Sequence, residues 1–501
     1  MFKKCLMVAC PLLLMGSLPT LVHAAGLVSK NATGADSSNG ASLDHVVSAN
    51  GVVVAFRSSG NNFSPTDTNG KDDIYARDYS DPTGTVELIS VDNSGKPGRL
   101  NCSPPLAISA DGSRIAFTSG SKLDAGDVNN AGDVYVRDRH AHTTILISKN
   151  VGTQKSGNSG SFEPVISPDG QLVVFRSSAS SLGPLDTNGL ADIYALNLAN
   201  NSMTLVSRNY NRQSGANAMA DEAKISGDGR YVVFSSPATD HFAPGDLLVK
   251  GFGDIYRMDL LSPTQDLTLV SINGLGTGGG NISTSGQGRS DNPYINSDGR
   301  YIAFTSTATD LLDSQTFSSG YHRVYVRDTV LQKTLLVSAA ANGGDGDGES
   351  TALGISADGR YVLFESTATN LVDPPTVGTN IFVRDVPGHI TTLVSVHEDG
   401  TSGDGTNGLM SANGRFVVFR SASGDLGPTD TNDLYDVYKR DLLTGEVTLI
   451  SVNGTGSSGG NMESVAPAMS QAGDVVVFRS HGNDFGPTDT NAKVDIYRYP
   501  Q

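Results

Sequence analysis

The sequence has no tryptophan and only three cysteines in 501 residues. Two of these, Cys5 and Cys10, fall in an N-terminal leader. Cys102 is then the only thiol, and no intramolecular disulfide is expected. Charged residues are 17% of the chain, and no stretch carries Ala, Glu, Lys and Leu at heptad spacing, which excludes a coiled coil. Beyond the leader no apolar run approaches the ~20 residues of a membrane-spanning helix. Positive charge is scarce: removing Lys3 and Lys4 with the leader takes the net charge from −17 to −19. A chain this acidic repels nucleic acid phosphates and anionic lipid, and suits cations, basic partners or neutral glycans.

The leader itself is legible. Lys3-Lys4 is a short positive start, Leu6 to Leu21 is apolar but broken by Pro11, Gly16 and Pro19, and Val22-His23-Ala24 fits a cleavage site. This predicts a signal peptide over residues 1–24, cut between Ala24 and Ala25, and export to the periplasm or the medium. Cys10 sits too early to anchor a lipid. Cys102 lies in a polar Asn-Cys-Ser segment with no histidine beside it.

What the chain has in plenty is glycine, 58 residues, and with it a repeat. A Phe in a Val/Ile-rich run recurs at Phe56, Phe117, Phe175, Phe234, Phe304, Phe364, Phe419 and Phe478, at spacings of 55 to 70 residues. Before each Phe stands a tight turn such as Ser109-Ala110-Asp111-Gly112, read as a type I′ hairpin. Six to eight residues after it comes a lone apolar residue (Phe63, Leu123, Leu182, Phe242, Leu311, Leu371, Leu426, Phe485) expected to pin a loop to the core. Two more strands follow, as at Asp133–Asp138 and Thr392–Ser395. Four strands per unit, with no helical pattern between units, predict an all-β propeller over 25–501 with eight four-stranded blades. Leu27-Val28-Ser29 matches the Leu-Val-Ser that ends other units, so residues 26–30 are expected to complete blade 8. Seven blades plus a loose unit is the alternative.

The motif Ser-x-Asp-Gly-Arg-x-Val-x-Phe at Ser226–Phe234 and Ser356–Phe364, with Asp254-Ile-Tyr-x-x-Asp259, resembles the WD40-like PD40 repeat of TolB-type propellers. The resemblance implies the propeller fold over nearly all of the mature chain. It leaves no residues for the separate α/β domain of TolB, nor for the hydrolase domain that such propellers cap in prolyl oligopeptidases.

Five units carry Asp-x-Asn-x-x-x-Asp between the second and third strands: Asp67/Asn69/Asp73, Asp127/Asn129/Asp133, Asp186/Asn188/Asp192, Asp430/Asn432/Asp436 and Asp489/Asn491/Asp495. Oxygen ligands at positions 1, 3 and 7 could hold Ca²⁺ weakly, with carbonyls and water completing the shell. The other reading is turn capping by Asp and Asn, with the loop aspartates paired to Arg57, Arg176, Arg420 and Arg479, which follow the repeat Phe. Blades 4, 5 and 6 depart: Asp246 and Asp254 are misspaced, and Arg323 and Asn380 replace the last Asp. The intact blades 7, 8, 1, 2 and 3 are contiguous around a closed ring, on a face expected to be acidic and rich in Gly, Asn and Ser.

Enzyme signatures are few. Gly456-Ser-Ser-Gly-Gly460 matches G-x-S-x-G but lies in a glycine-rich connection, Gly344–Gly348 precedes no helix, and His140 and His142 form no H-E-x-x-H. The expected function is a monomeric, non-catalytic binding or scaffold module for a protein or glycan in the envelope or outside the cell, with no nucleic acid partner. The alternative is a secreted glycoside hydrolase or lyase whose carboxylates meet in the channel without a linear signature.

Overall fold

The fold is a ring because each sheet of this sequence is apolar on both faces. Second strands such as Leu172–Ser177 are buried residue after residue, so each sheet must pack against two neighbours. The computed structural model describes residues 25–500 except 184–185, 244–251, 263, 265, 282–287, 314, 318–319, 398, 425, 427–429, 431 and 487–488. The predicted leader and Asp246 lie outside the described residues. Eight four-stranded antiparallel sheets follow one another, with no helix among the described residues. In blade 3 the strands are Ser161–Ile166, Leu172–Ser177, Asp192–Asn197 and Ser202–Leu205. The first strands pack side by side in a closed circuit, blade 8 against blade 1, and so line the central channel.

Closure follows the expectation. Gly26 pairs with Arg498 and Leu27 with Tyr497, Val28 N–H donates to Ile496 O (2.7 Å), and Ser29 Oγ donates to Asp495 (2.5 Å). The missing fourth strand of blade 8 is thus supplied from the other end of the chain, and the third strand is not left as the sheet's outer edge.

Each blade is centred on its repeat Phe, which is fully buried and pairs across the sheet with an aromatic residue of the third strand. The rings stack at 5.4–6.0 Å, as in Phe175–Tyr194 and, with Phe382 in place of Tyr, Phe364–Phe382. The lone apolar residue covers this pair in seven blades. Blade 4 corrects the expectation: seven residues after Phe234 stands His241, which is buried 4.3 Å from the Tyr256 ring, while Phe242 lies 6.1 Å away and only partly covered. Burial pushes the His241 pKa down to about 4, so the ring packs as a neutral body.

Two further readings change. In the turns before the second strands only the glycine has positive φ (Gly112 76°, Gly229 72°), and its N–H closes back onto the serine carbonyl. That is a type I turn followed by a left-handed glycine, not type I′, which needs two such residues. Cys102 begins a strand rather than sitting in a loop, is buried, and has its thiol pushed up to about 12 by desolvation, which leaves it inert.

Candidate functional site

Strand order fixes which end of the ring can carry a site. The first strand runs from one face to the other, so its start, the second-to-third-strand loop and the interblade connection all emerge on the same face. That loop face holds both the acidic triplets and the mouth of the channel.

In the triplets the side chains turn inward. The first Asp accepts from the hydroxyl of the blade's central Tyr: Tyr75 to Asp67, Tyr135 to Asp127 (2.6 Å), Tyr194 to Asp186 (2.8 Å), Tyr438 to Asp430 (3.2 Å) and Tyr497 to Asp489 (2.7 Å). The last Asp accepts from a serine two residues past the fourth strand, as in Ser148 to Asp133 (2.5 Å), Ser29 to Asp495 (2.5 Å) and the pairs Ser90–Asp73, Ser207–Asp192 and Ser451–Asp436. The Asn carboxamide oxygen accepts from the N–H two residues on (Lys71, Ala131, Leu190, Leu434, Lys493), an Asx turn. That turn aims the NH₂ the other way. It donates to an interblade carbonyl, as from Asn69 to Gly98 (2.8 Å), and in four blades to the last Asp: Asn69–Asp73 (2.6 Å), Asn188–Asp192 (2.7 Å), Asn432–Asp436 (3.3 Å) and Asn491–Asp495 (2.8 Å).

This donor set suits a hard cation poorly, because position 3 presents N–H rather than oxygen. No group of three or more His, Cys, Asp or Glu able to hold a metal comes together among the described residues. Blade 2 departs from its siblings. There Asn129 donates to Gly157 O alone, and Asp127 Oδ1 and Asp133 Oδ2 are buried with no hydrogen-bond partner. Burial raises the pKa of the last aspartate in every triplet: Asp73 to about 6, and Asp133, Asp192, Asp436 and Asp495 to about 7.

The expected pairing of these aspartates with arginine is not what the loops do. Arg57 binds Asp44 (2.7 Å) and Asp72, Arg176 binds Asp221 (3.0 Å) and approaches Glu163 (3.8 Å), and Arg420 donates to Thr406 (3.0 Å) over the Tyr435 ring. No triplet aspartate is paired to Arg479 among the described residues. The reason is the two-residue period of a strand. An Arg next to the central Phe points to the opposite face of the sheet, whereas the Tyr that holds the first Asp lies on the Phe face. In blade 5 the Arg323 guanidinium is instead buried on the Phe317 ring (4.3 Å) and paired to Asp345 of the interblade loop.

The channel mouth was not legible in the sequence. Every first strand carries an irregularity near its start, and in five blades the extra residue is left-handed without being glycine: Glu163 (φ 56°), Glu222 (56°), Asn292 (50°), Asn407 (55°) and Ala466 (52°). Two of these bulges tie blades together. Asn292 N–H donates to Glu222 of the preceding blade (3.0 Å), and Asn407 N–H to Glu365 (3.1 Å).

No family model and no curated protein sequence matches this chain. Solved structures are similar at the level of the propeller. An oligogalacturonate lyase in complex with manganese has 12% identity and a TM-score of 0.45, covering 92% of this chain and 97% of its own. A prolyl endopeptidase has 13% identity and a TM-score of 0.48, covering 91% and 55%. TolB from Acinetobacter baumannii has 13% identity and a TM-score of 0.32, covering 81% and 80%. Propellers this far apart differ freely in what they bind or catalyse.

Around the channel, then, this chain carries its own chemistry. Between blades 3 and 5 the Glu163 carboxyl has its pKa raised by desolvation, with the neighbouring Asp221 charge adding to the shift against Arg176. The Lys224 ammonium has its pKa lowered, again by desolvation, and lies 5.9 Å from the Tyr294 ring.

Proposed function

We propose that the protein is an exported, non-catalytic binding module that engages a protein or glycan partner through its loop face. One observation carries this reading. The acidic triplets spend their side chains on holding the loops, so the face is a preformed surface rather than a set of mobile arms, and a preformed surface loses little entropy on binding. No helix among the described residues is long and apolar enough to cross a membrane.

The test is capture from envelope and culture-medium fractions on immobilised protein. The expected result is a partner retained by the parent and lost when Glu163 and Glu222 at the channel mouth are replaced by the corresponding amides. Equal capture by both would move the partner to another face.

A carbohydrate-active enzyme in the channel is the second reading. It is favoured by the neighbouring bulge carboxylates Glu163 and Glu222 beside an aromatic ring. Release of new reducing ends from a polysaccharide, abolished by Glu163→Gln, would establish it.

A further inference from the structure

Four side chains from three adjacent blades meet at the channel mouth with hydrogen-bonding capacity unused. Glu163 starts the channel-facing bulge of blade 3 and Glu222 the equivalent bulge of blade 4. Lys224 stands two residues beyond Glu222, and Tyr294 lies on the first strand of blade 5. Each is within electrostatic range of the next: Lys224 of Glu222 and Glu163, Tyr294 of Glu222, and Lys224 of the Tyr294 ring.

The group is open in an unusual way. Lys224 is exposed to solvent along part of its length, and the strands around it desolvate its ammonium. Its ammonium forms no hydrogen bond or ion pair among the described residues, and neither does the Tyr294 hydroxyl. Glu163 is exposed, lies 3.8 Å from Arg176, which is bound to Asp221 at 3.0 Å, and shares a hydrogen bond with Asp221, which leaves its second oxygen for a ligand. Glu222 gives one oxygen to Asn292 N–H, which leaves the other. Two non-glycine residues are held left-handed, a conformation uphill for L-residues, and both carry carboxylates.

The signs of charge choose among ligands. An anion would meet Glu163 and Glu222, with Asp221 and Asp291 beside them, and a cation would meet Lys224, with Arg176 and Arg289 beside it. A neutral hydroxylated ligand meets neither penalty: its hydroxyls donate to the carboxylates and accept from the ammonium and the phenol, and a ring can lie on Tyr294. We propose that this part of the channel mouth is a binding site for a neutral glycan segment, with Glu163 and Glu222 as acceptors, Lys224 as donor and Tyr294 as the stacking platform. The proposal rests on the binding role above and names the ligand class for that face.

The experiment is calorimetric titration of the mature protein with maltohexaose, cellohexaose and xylohexaose, with hexagalacturonate as the anionic probe and spermine as the cationic one. At least one neutral hexasaccharide should bind. Its affinity should fall tenfold or more in Tyr294→Ala and in Glu163→Gln, and Lys224→Met should weaken it as well. The melting temperatures of the three variants report whether the blades remain intact. A neutral probe that binds the parent and all three variants equally overturns the proposal. So does preference for hexagalacturonate or spermine, or no binding of any neutral probe at millimolar concentration. If capture from cell fractions yields a protein partner while every neutral probe is silent, the binding role stands and this inference alone fails.

Discussion

Arg323 binds Asp345 through two parallel bonds, Nε to Oδ1 and Nη2 to Oδ2, each 2.7 Å. Arg323 stands where six other blades, blade 4 with Asp254 among them, start the third strand with aspartate. Asp345 stands where blades 3 and 7 have glycine, Gly215 and Gly459, whose absent side chains leave room against Asp192 and Asp436. Blade 5 thus has a base where its siblings have the acid, and supplies the acid from a position that is glycine in blades 3 and 7. Asp345→Ala removes the bidentate partner of a buried guanidinium and is expected to cost about 3–5 kcal/mol. The Tyr321 carbonyl, which still accepts from Arg323 at 2.9 Å, favours the lower end. Arg323→Asp should destabilise as well, and adding Asp345→Gly, which rebuilds the blade 3 arrangement, should recover part of the loss. Denaturant midpoints of the three variants check this, and a double variant no better than the single one would refute the exchange.

The raised carboxyls make stability depend on pH in a stated direction. Asp73, Asp133, Asp192, Asp436 and Asp495 hold protons up to about pH 6 to 7 when folded, against 3.8 for the ordinary group. The folded state binds more protons than the unfolded one between these limits. Their contribution is therefore fully present below about pH 3.8 and is lost as pH rises through 6 to 7. The melting temperature should rise on going from pH 8 to pH 6.5. Below pH 6.5 His241 works against the trend, since it must stay neutral when buried. Asp495→Asn, which cannot ionise, should flatten the upper part of the profile. A profile that rises towards pH 8 would contradict the assignment.

The hydroxyl of Tyr194 is the donor to Asp186 Oδ2, and both groups are buried. Tyr194→Phe keeps the ring on Phe175 but leaves that oxygen without its hydrogen, at a cost of about 1–3 kcal/mol. Chemical denaturation of this variant measures it. A change within experimental error would mean that the loop aspartate has another donor.

Millimolar calcium is expected to act at blade 2 alone, where two buried carboxylate oxygens lack partners. A native-state ligand raises the melting temperature by mass action. The rise, and its reversal by a chelator, should vanish in Asp127→Asn and survive in Asp186→Asn. A response lost in Asp186→Asn would mean that the Asn188 carboxamide turns its oxygen to the metal.

Removing residues 25–30 takes away the Gly26–Arg498 and Leu27–Tyr497 pairs, the Ser29 bond to Asp495 and the Leu27 carbonyl that Arg77 donates to (2.9 Å). The truncated protein should melt well below the parent or aggregate through the exposed third strand of blade 8. A parental melting curve would exclude the closure as a stabilising feature.

The propeller was legible because its signals are local: the Asp-Gly turn, the Phe two to four residues into a β-branched run, and the unpaired Leu-Val-Ser at the start. The triplets were legible as residues but not as contacts. Asp186 and Arg176 are close in sequence register yet lie on opposite sides of their sheet, and the donor to Asp186 is Tyr194, which nothing in the sequence ties to the loop. Nothing in the sequence marked the channel mouth. A bulge made with Glu163 or Asn407 lacks the glycine that would have announced positive φ, and its partners come from other blades. His241 was passed over for Phe242 because a neutral buried imidazole is indistinguishable from a solvated one in sequence.

The pairing of Gly26 with Arg498 also sets an order of events. The two residues are the most distant in the described chain that share a ladder, so the segment made first finds its partner only after the last blade exists. Until then a growing or unfolded chain can form blades one at a time from local hairpins, but it cannot lock them into a circle. Loop closure over so many residues is slow relative to hairpin formation. A late, single sealing step is therefore expected in refolding, following blade formation and gated by the arrival of the N-terminal strand.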